Sequence, residues 1–257
     1  MGLFEKTFDN AADDYEQSRP DYPDALYSDI FRYLPVGPGS RVLEIGMGTG
    51  KASGPFLGKG CCFVGLEPGK ALAAVARRRL QNKPSALLRC ERFQDYEALP
   101  ESFDLVYAAT AFHWIPEEYG YPRVFALLKT GGAFARFAYH AGPDQSRPEL
   151  ARQMNMLYRE IMWYTDAPAP FGAAQAQSLA QLAEKYGFTD AEYHLYQFTK
   201  DFTADGYMAL LRTYPDHMNL EERSRKALFD GIHTAIRQHG GTITVHYTAD
   251  LELARKP

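Results

Sequence analysis

The stretch VLEIGMGTG (residues 42–50) places glycines at 46, 48 and 50 directly behind a run of apolar and β-branched residues. A buried strand that ends in alternate glycines lets the backbone turn sharply and approach a ligand closely. An acid near the end of the next strand would complete such a site by hydrogen-bonding a ribose, and Glu67, which closes FVGLE, stands about 20 residues on, the separation expected for that contact.

The surrounding pattern sets the fold class. RVLEIG (41–46), CCFVGLE (61–67), SALLRC (85–90), FDLVYAAT (103–110) and GAFARFAYH (132–140) are short, apolar and rich in Val, Ile, Leu and Phe, as strands buried on both faces should be. Helical segments lie between them, GKALAAVARRRL (69–80) and EEYGYPRVFALLK (117–129). This alternation predicts an α/β fold, a Rossmann-like, doubly wound sheet of seven strands, mostly parallel, with right-handed crossovers. The alternating segments near 191–200 and 242–255 are expected to supply its antiparallel edge.

Two regions break the alternation. Residues 148–164 repeat Leu150, Met154, Leu157 and Ile161 at helical spacing, ahead of the Pro-rich DAPAPFG, and residues 203–240 hold two more helical stretches. The chain is therefore read as one domain over 1–257, with lid helices over 1–36 and a ligand-binding core over 37–140. Helical cap insertions occupy 141–172 and 203–240, and a closing helix and sheet-edge strands occupy 173–202 and 241–257, the helix ending at Gly187 in C-cap fashion.

The 257 residues, 46% hydrophobic and 23% charged, suffice for one large core. A net charge of -4 offers no basic surplus for a phosphate backbone, so no nucleic-acid partner is expected. Arg77, Arg78 and Arg79 sit in the last turn of a helix, where the dipole favours cations. The first residues lack the basic and apolar runs of a secretion signal and nothing reaches bilayer length, so no membrane partner and a cytoplasmic location are expected. Lys6 stands where N-myristoylation of Gly2 would need Ser or Thr. Cys61 and Cys62, neighbours on a strand, should face opposite ways; with Cys90 they read as reduced, buried thiols. No metal site is expected, because the seven histidines lack Cys or carboxylate neighbours at ligand spacing.

The glycine spacing narrows the ligand. A dinucleotide fingerprint needs Gly or Ala at position 51, which is Lys51, and the third glycine falls one residue early at Gly50. That argues against a pyrophosphate on the helix N-terminus and for a smaller ligand, an adenosine carrying an amino-acid tail.

VLEIGMGTG resembles the first motif of class I S-adenosylmethionine-dependent methyltransferases, and VGLEPGKALAAVARRR (64–79) resembles their second. LRCERFQDYEALPESFDLVYAATAFHWI (88–115) is similar to their adenine loop and following strand. Its AFHWI ending, with YEQSRPDYP (15–23) and LRTYP (211–215), resembles the small-molecule branch of methyltransferase type 11 and trans-aconitate methyltransferase-like proteins. The resemblance implies S-adenosyl-L-methionine as cofactor, S-adenosyl-L-homocysteine as product, and a small-molecule acceptor, such as a carboxylate or hydroxyl. It implies that Gly46, Gly48 and Gly50 shape the turn around the methionine and ribose, that Glu44 braces it and that Glu67 holds the ribose hydroxyls. It also implies that Phe93 and Gln94 border the adenine, and that Ala109 and Thr110 lie near the methionine tail. Many members carry an Asp just ahead of the position of Phe93, where this chain has Arg92, with Gln94 or a backbone group as substitute for the adenine contact.

Tyr15 and Arg19 are read either as folding over the cofactor, Arg19 meeting its carboxylate, or as an ordinary helix cap. His113 is the candidate catalytic group, as a base or a substrate hydrogen-bonder, with a structural histidine as the plain alternative. With His113, Trp114, His140, Trp163, Arg212 and Tyr214 are the expected substrate pocket; Tyr164, Tyr207 and His217 belong to the same aromatic-rich cap set, which could equally serve packing alone. Two other readings stand beside transfer: a non-catalytic sensor or partner subunit that binds the same cofactor, and a nicotinamide-dependent oxidoreductase, which Lys51 disfavours.

Overall fold

A computed structural model of the chain describes residues 12–144, 146–163 and 170–257. The first part of the expected lid, Tyr164 and most of DAPAPFG lie outside the described residues. The elements run α1 Ala12–Ser18, α2 Asp24–Tyr33, β1 Arg41–Ile45, α3 Ser53–Gly58, β2 Cys62–Leu66, α4 Lys70–Arg79, β3 Ala86–Arg89 and β4 Phe103–Ala109. A 3-10 turn, Phe112–Trp114, leads to α5 Glu117–Leu127 and β5 Leu128–Gly142. Then come α6 Pro148–Met162, α7 Ala173–Glu184, β6 Thr189–Thr203, α8 Ala204–Leu211, α9 Pro215–Met218, α10 Glu222–Gln238 and β7 Thr242–Arg255.

The strands form one seven-stranded sheet in the order β3-β2-β1-β4-β5-β7-β6. β1 lies parallel between β2 and β4, with Leu43 opposite Val64 on one side and Val106 on the other. β1 and β2 each bury four of their five residues, as strands covered on both faces must. β3 departs from that expectation: it alternates half-buried and exposed residues because it is the sheet edge, and Leu87 is 52% exposed there. β7 alone runs against the others. Gly131 and Lys256 exchange backbone bonds at one end of β5, while Gly142 approaches the carbonyl of His246 at the other. The antiparallel strand thus lies one place in from the edge, and β6 forms the edge itself.

The chain divides into two compact units. One takes its described residues from Asp21–Tyr139, Phe171–Tyr196 and Ala249–Pro257. Its core stacks Tyr107 against Phe56 at 4.1 Å and against Phe137 at 5.8 Å. The opposite sheet face packs Phe134 and Phe112 with Tyr121 and Phe188. The other unit takes its described residues from Met1–Pro20, His140–Pro170 and Gln197–Thr248. There α10 buries Leu228, Ile232, Ala235 and Ile236 along one stripe, at the helical spacing an amphipathic segment needs. Gly231 on that helix lets α6 approach, since a Cβ there would stand 2.9 Å from Leu157 Cδ2. Arg147, just ahead of α6, donates to the carbonyls of His239 and Thr242 and to the Thr242 hydroxyl.

The expectation of three buried thiols is corrected. Cys61 is buried, and burial pushes its thiol up to about 11, but Cys62 and Cys90 are exposed. The alternation along the strand holds, and the side that Cys62 faces is solvent. Among the described residues no helix is long and apolar enough to cross a membrane.

Gly132 tests the β4–β5 packing. A Cβ there would sit 2.9 Å from the carbonyl oxygens of both Asp104 and Lys129. Gly132→Ala should lower unfolding free energy in urea by about 1–3 kcal/mol. Gly37→Ala, with nothing within 4 Å of the added atom, should leave stability nearly unchanged.

Candidate functional site

The three glycines of the quoted stretch all adopt left-handed backbone, with φ of 67° at Gly46, 57° at Gly48 and 81° at Gly50. Side chains rarely adopt that region, so glycine is required here for conformation. Space requires it too at Gly46, where a Cβ would fall 2.6 Å from Ala111 Cβ. Between the glycines, the Met47 amide donates to the Leu66 carbonyl at 2.9 Å, and its side chain is buried over Gly65, where a Cβ would stand 2.4 Å from Met47 Sδ. Gly65 is thus the partner that lets the loop fold down on β2.

Two buried carboxyls hold this turn. Glu67, 7% exposed, accepts the Gly48 amide at 2.9 Å on one oxygen and the Gly69 amide at 2.7 Å on the other. Glu44, fully buried on β1, accepts from the Ser53 hydroxyl at 2.5 Å and the Tyr107 hydroxyl at 2.7 Å, both on Oε2. Its Oε1 has no hydrogen-bond partner. Burial pushes the Glu44 carboxyl up to about 7, the Ser53 and Tyr107 bonds partly offset that, and Glu67 adds to it.

The next wall is the carboxyl end of β4. Thr110 follows Ala109 with φ 50°, an outlier for a β-branched residue. It is held there by its amide bond to the Phe137 carbonyl at 2.7 Å and by its hydroxyl, 2.5 Å from the Tyr22 hydroxyl. Backbone strain so held, beside a ligand loop, is characteristic of functional sites. Tyr22 packs edge-on against Phe137 at 4.8 Å. The one segment 15–23 thus carries a residue of this site that sequence reading passed over in favour of Tyr15 and Arg19. Lys51, the residue that breaks the dinucleotide spacing, pairs with Asp21 at 3.3 Å.

Phe93 is buried at 4% exposure in the hydrophobic core, while Gln94 is exposed and its carbonyl accepts from the Tyr119 hydroxyl at 3.4 Å. His113 and Trp114 lie in the 3-10 turn after β4, their rings 4.8 Å apart. Trp114 is 47% exposed, so it is not core. Glu44, Gly46, Gly48, Gly50, Glu67, Phe93, Gln94, Ala109, Thr110, His113 and Trp114 all belong to one compact unit.

Tyr15, Arg19, His140, Trp163, Arg212 and Tyr214 belong to the other unit. Arg19, 7% exposed, donates to the Thr213 hydroxyl at 2.8 Å and the Thr213 carbonyl at 3.0 Å. Its guanidinium lies over the Tyr214 ring at 4.3 Å and the Tyr15 ring at 5.3 Å, a cation–π arrangement. Arg212 pairs with Asp14 at 2.5 Å. His140 lies near the end of β5, and Trp163, 85% exposed, closes α6 in left-handed backbone.

The residues around the glycine loop suit an adenosine carrying an amino-acid tail. A loop with glycine at every other position in left-handed backbone leaves main chain open to close approach, and a buried carboxyl beside it can accept from a diol. The arrangement is that of an α/β nucleoside site at the point where strand order reverses, between β1 and β4.

Comparison with known proteins agrees. The Methyltransferase domain family matches residues 42–132. CRG1 of Saccharomyces cerevisiae, described as a probable S-adenosylmethionine-dependent methyltransferase, is 30% identical over 163 residues, 60% of this chain and 52% of that protein. The methyltransferase-like protein C25B8.10 of Schizosaccharomyces pombe is 26% identical over 86% of this chain and 82% of its own. The chain thus spans about half the length of the first relative and most of the second. Among solved structures, a candidate type II methyltransferase from Anaeromyxobacter dehalogenans superposes with a TM-score of 0.66 at 20% identity, over 92% of this chain and 97% of that one. Phosphoethanolamine N-methyltransferase 2 of Haemonchus contortus gives 0.54 at 19% identity, over 97% and 57%. Over its glycine loop and the parallel strands that follow, the chain is thus similar to methyltransferases.

Two outcomes follow from the loop and its carboxyls. Between pH 4.5 and about 7 the folded chain keeps the Glu44 proton that the unfolded chain releases, so this group's contribution is full below 4.5 and falls as pH rises. The loss amounts to about 3 kcal/mol. Glu44→Gln, a neutral mimic of the protonated acid, should flatten that slope in urea unfolding at about pH 5 and pH 7.5. An unchanged slope would remove Glu44 as its source. Gly46→Ala, strained and in collision with Ala111, should lower the melting temperature and weaken cofactor binding in calorimetry by tenfold or more, given about 1–2 kcal/mol for the backbone alone.

Proposed function

We propose that the chain transfers the methyl group of S-adenosylmethionine to a small-molecule acceptor. The observation that carries this reading is the pairing of a left-handed glycine loop with Glu67, whose carboxyl is bound to the loop's own Gly48 amide. Glu67 would receive the ribose hydroxyls, and Gly46, Gly48 and Gly50 would lie along the ribose and methionine. Phe93 and Gln94 would border the adenine, and Ala109 with the strained Thr110 would face the methionine tail. Glu44 acts one step back, since its bonds to Ser53 and Tyr107 fix the first residue of α3 to β1 and β4.

When bound, the cofactor supplies a methyl group on a positively charged sulfur, so its leaving group needs no acid. The protein's part is to align the acceptor atom in line with that bond and to keep water away. A carboxylate acceptor needs no base, whereas a hydroxyl must lose a proton, for which His113 is a candidate acceptor. The helical unit, with its partly exposed tyrosines and buried Arg19, is the candidate for acceptor recognition. The Haemonchus relative in fold holds phosphomonomethylethanolamine and S-adenosylhomocysteine, which supports a small acceptor here, as does the resemblance to the trans-aconitate branch.

Calorimetry with S-adenosylmethionine, S-adenosylhomocysteine and NAD tests the reading. The first two should bind, and Glu67→Ala should weaken both by about tenfold or more, the worth of a charge-assisted hydrogen bond. Binding of NAD alone would overturn it. Methyl transfer to a panel of small acids, amines and phenols then separates an enzyme from a sensor.

A further inference from the structure

β7 carries two acids into the interior. Asp250 is 1% exposed and Glu252 5%, and at two residues' spacing they share one face of the strand with Ala254. Phe134 and Arg136 of β5 line the same pocket, Tyr121 comes from α5, and α7 closes it with Leu179, Ala180 and Ala183. All of these residues lie in one compact unit. The space left beside Glu252 is about 10 Å³, room for no more than a single water molecule, so bulk solvent does not bathe its carboxyl.

A carboxyl this deep is ordinarily met by donors. Among the described residues no N–H or O–H bonds to either Oε1 or Oε2 of Glu252. Arg136 stands with its Nε 3.9 Å from Oε2, outside hydrogen-bond range, and its Nη1 donates instead to the Tyr121 hydroxyl at 3.4 Å. What does lie within reach of Glu252 is a second acid, Asp250. Two carboxyls can hydrogen-bond to each other only if one of them keeps its proton.

The charges that act on Glu252 are those of Asp250 and Arg136. Burial, then the charge of Asp250 and the hydrogen bond to it, push the Glu252 carboxyl far up, and Arg136 opposes them. Burial also raises the Tyr121 phenol, which stays neutral, and the α7 residues in the pocket carry no charge. With one proton between them the two acids carry a single negative charge, which Arg136 balances. With none they would set two charges against one where desolvation is costly.

We propose that Asp250 and Glu252 share one proton in the folded chain, and that this proton ties the packing of α7 on β5 and β7 to pH. On unfolding both carboxyls meet water, the O–H bond breaks with its electrons left on oxygen, and the proton passes to solvent. The folded chain therefore binds one proton more than the unfolded chain. Stability from a group raised in this way is full below the ordinary carboxylate range and falls as pH rises. For the Asp250–Glu252 pair the fall continues above pH 7.5, beyond the value of about 7 at which Glu44 loses its proton. The device does not depend on which cofactor the chain binds.

Urea unfolding of the full chain at about pH 7.5 and pH 8.5, beside Glu252→Gln, measures the extra proton. The unfolding constant of the unaltered chain relative to that of the variant should rise about tenfold over that interval. A constant ratio overturns the proposal. Infrared spectroscopy of the unaltered chain at about pH 8.5 detects the same proton without requiring the variant to fold. The carbonyl band of an un-ionised carboxyl should be present in the folded chain and vanish on unfolding. Its absence from the folded chain, or its persistence in folded Glu252→Gln, overturns the proposal as well.

Discussion

Two backbone amides, from Gly48 and Gly69, converge on one carboxyl, that of Glu67. The first belongs to the turn that leaves β1 and the second to the turn that leaves β2, so a single side chain ties both together. Without it, three alternate left-handed positions would lean on the Met47 and Gly50 amide bonds and the packing of Met47 over Gly65. Unmet amides in a buried turn cost roughly 1–3 kcal/mol each. The acid at the end of β2 is therefore a structural requirement of the loop as well as the proposed ribose contact. Its neighbour Glu44 shows what burial does to a carboxyl whose donors crowd one oxygen: that oxygen is served by two hydroxyls, the other by none, and the group holds its proton toward neutrality.

Much of this was legible in the sequence, because local chemistry dictates it. Alternate glycines behind an apolar run forced the turn, an acid at fixed spacing forced its partner, and the β-α alternation forced a parallel sheet. Residues that matter through distant partners were not legible. Tyr22 reaches Thr110, Tyr107 reaches Glu44 and Tyr158 reaches His217, each across a separation that no periodicity encodes. The place of β7 was also hidden. Alternation marks a half-covered strand, but whether it joins the sheet from outside or slips between two others depends on which edge is left open by the rest of the chain. The thiols of Cys62 and Cys90 fell to the same limit, since a strand pattern gives opposite faces without saying what covers each.

Arg19 shows how a charged residue is buried at low cost. Its guanidinium is served by both oxygens of Thr213 and lies across the faces of two tyrosines, so hydrogen bonds and ring electrons offset its desolvation. Tyr214, one of the two tyrosines that hold Arg19, also stands beside His217, which links the fixing of the N-terminal segment to the order of the rings around the imidazole.

The sheet order has a consequence for how the chain is made. β2 can pair with β1, β3 with β2, β4 with β1 and β5 with β4, so each strand from β2 to β5 meets a finished neighbour as it leaves the ribosome. β6 does not. Its neighbour in the sheet is β7, which follows it in the chain, after the helices α8 to α10. Until β7 emerges, β5 keeps a bare edge and β6 has no strand to join. Such unpaired edges are where a nascent chain is most exposed to association with other chains. Synthesis and architecture run in step across one half of this sheet and out of step across the other.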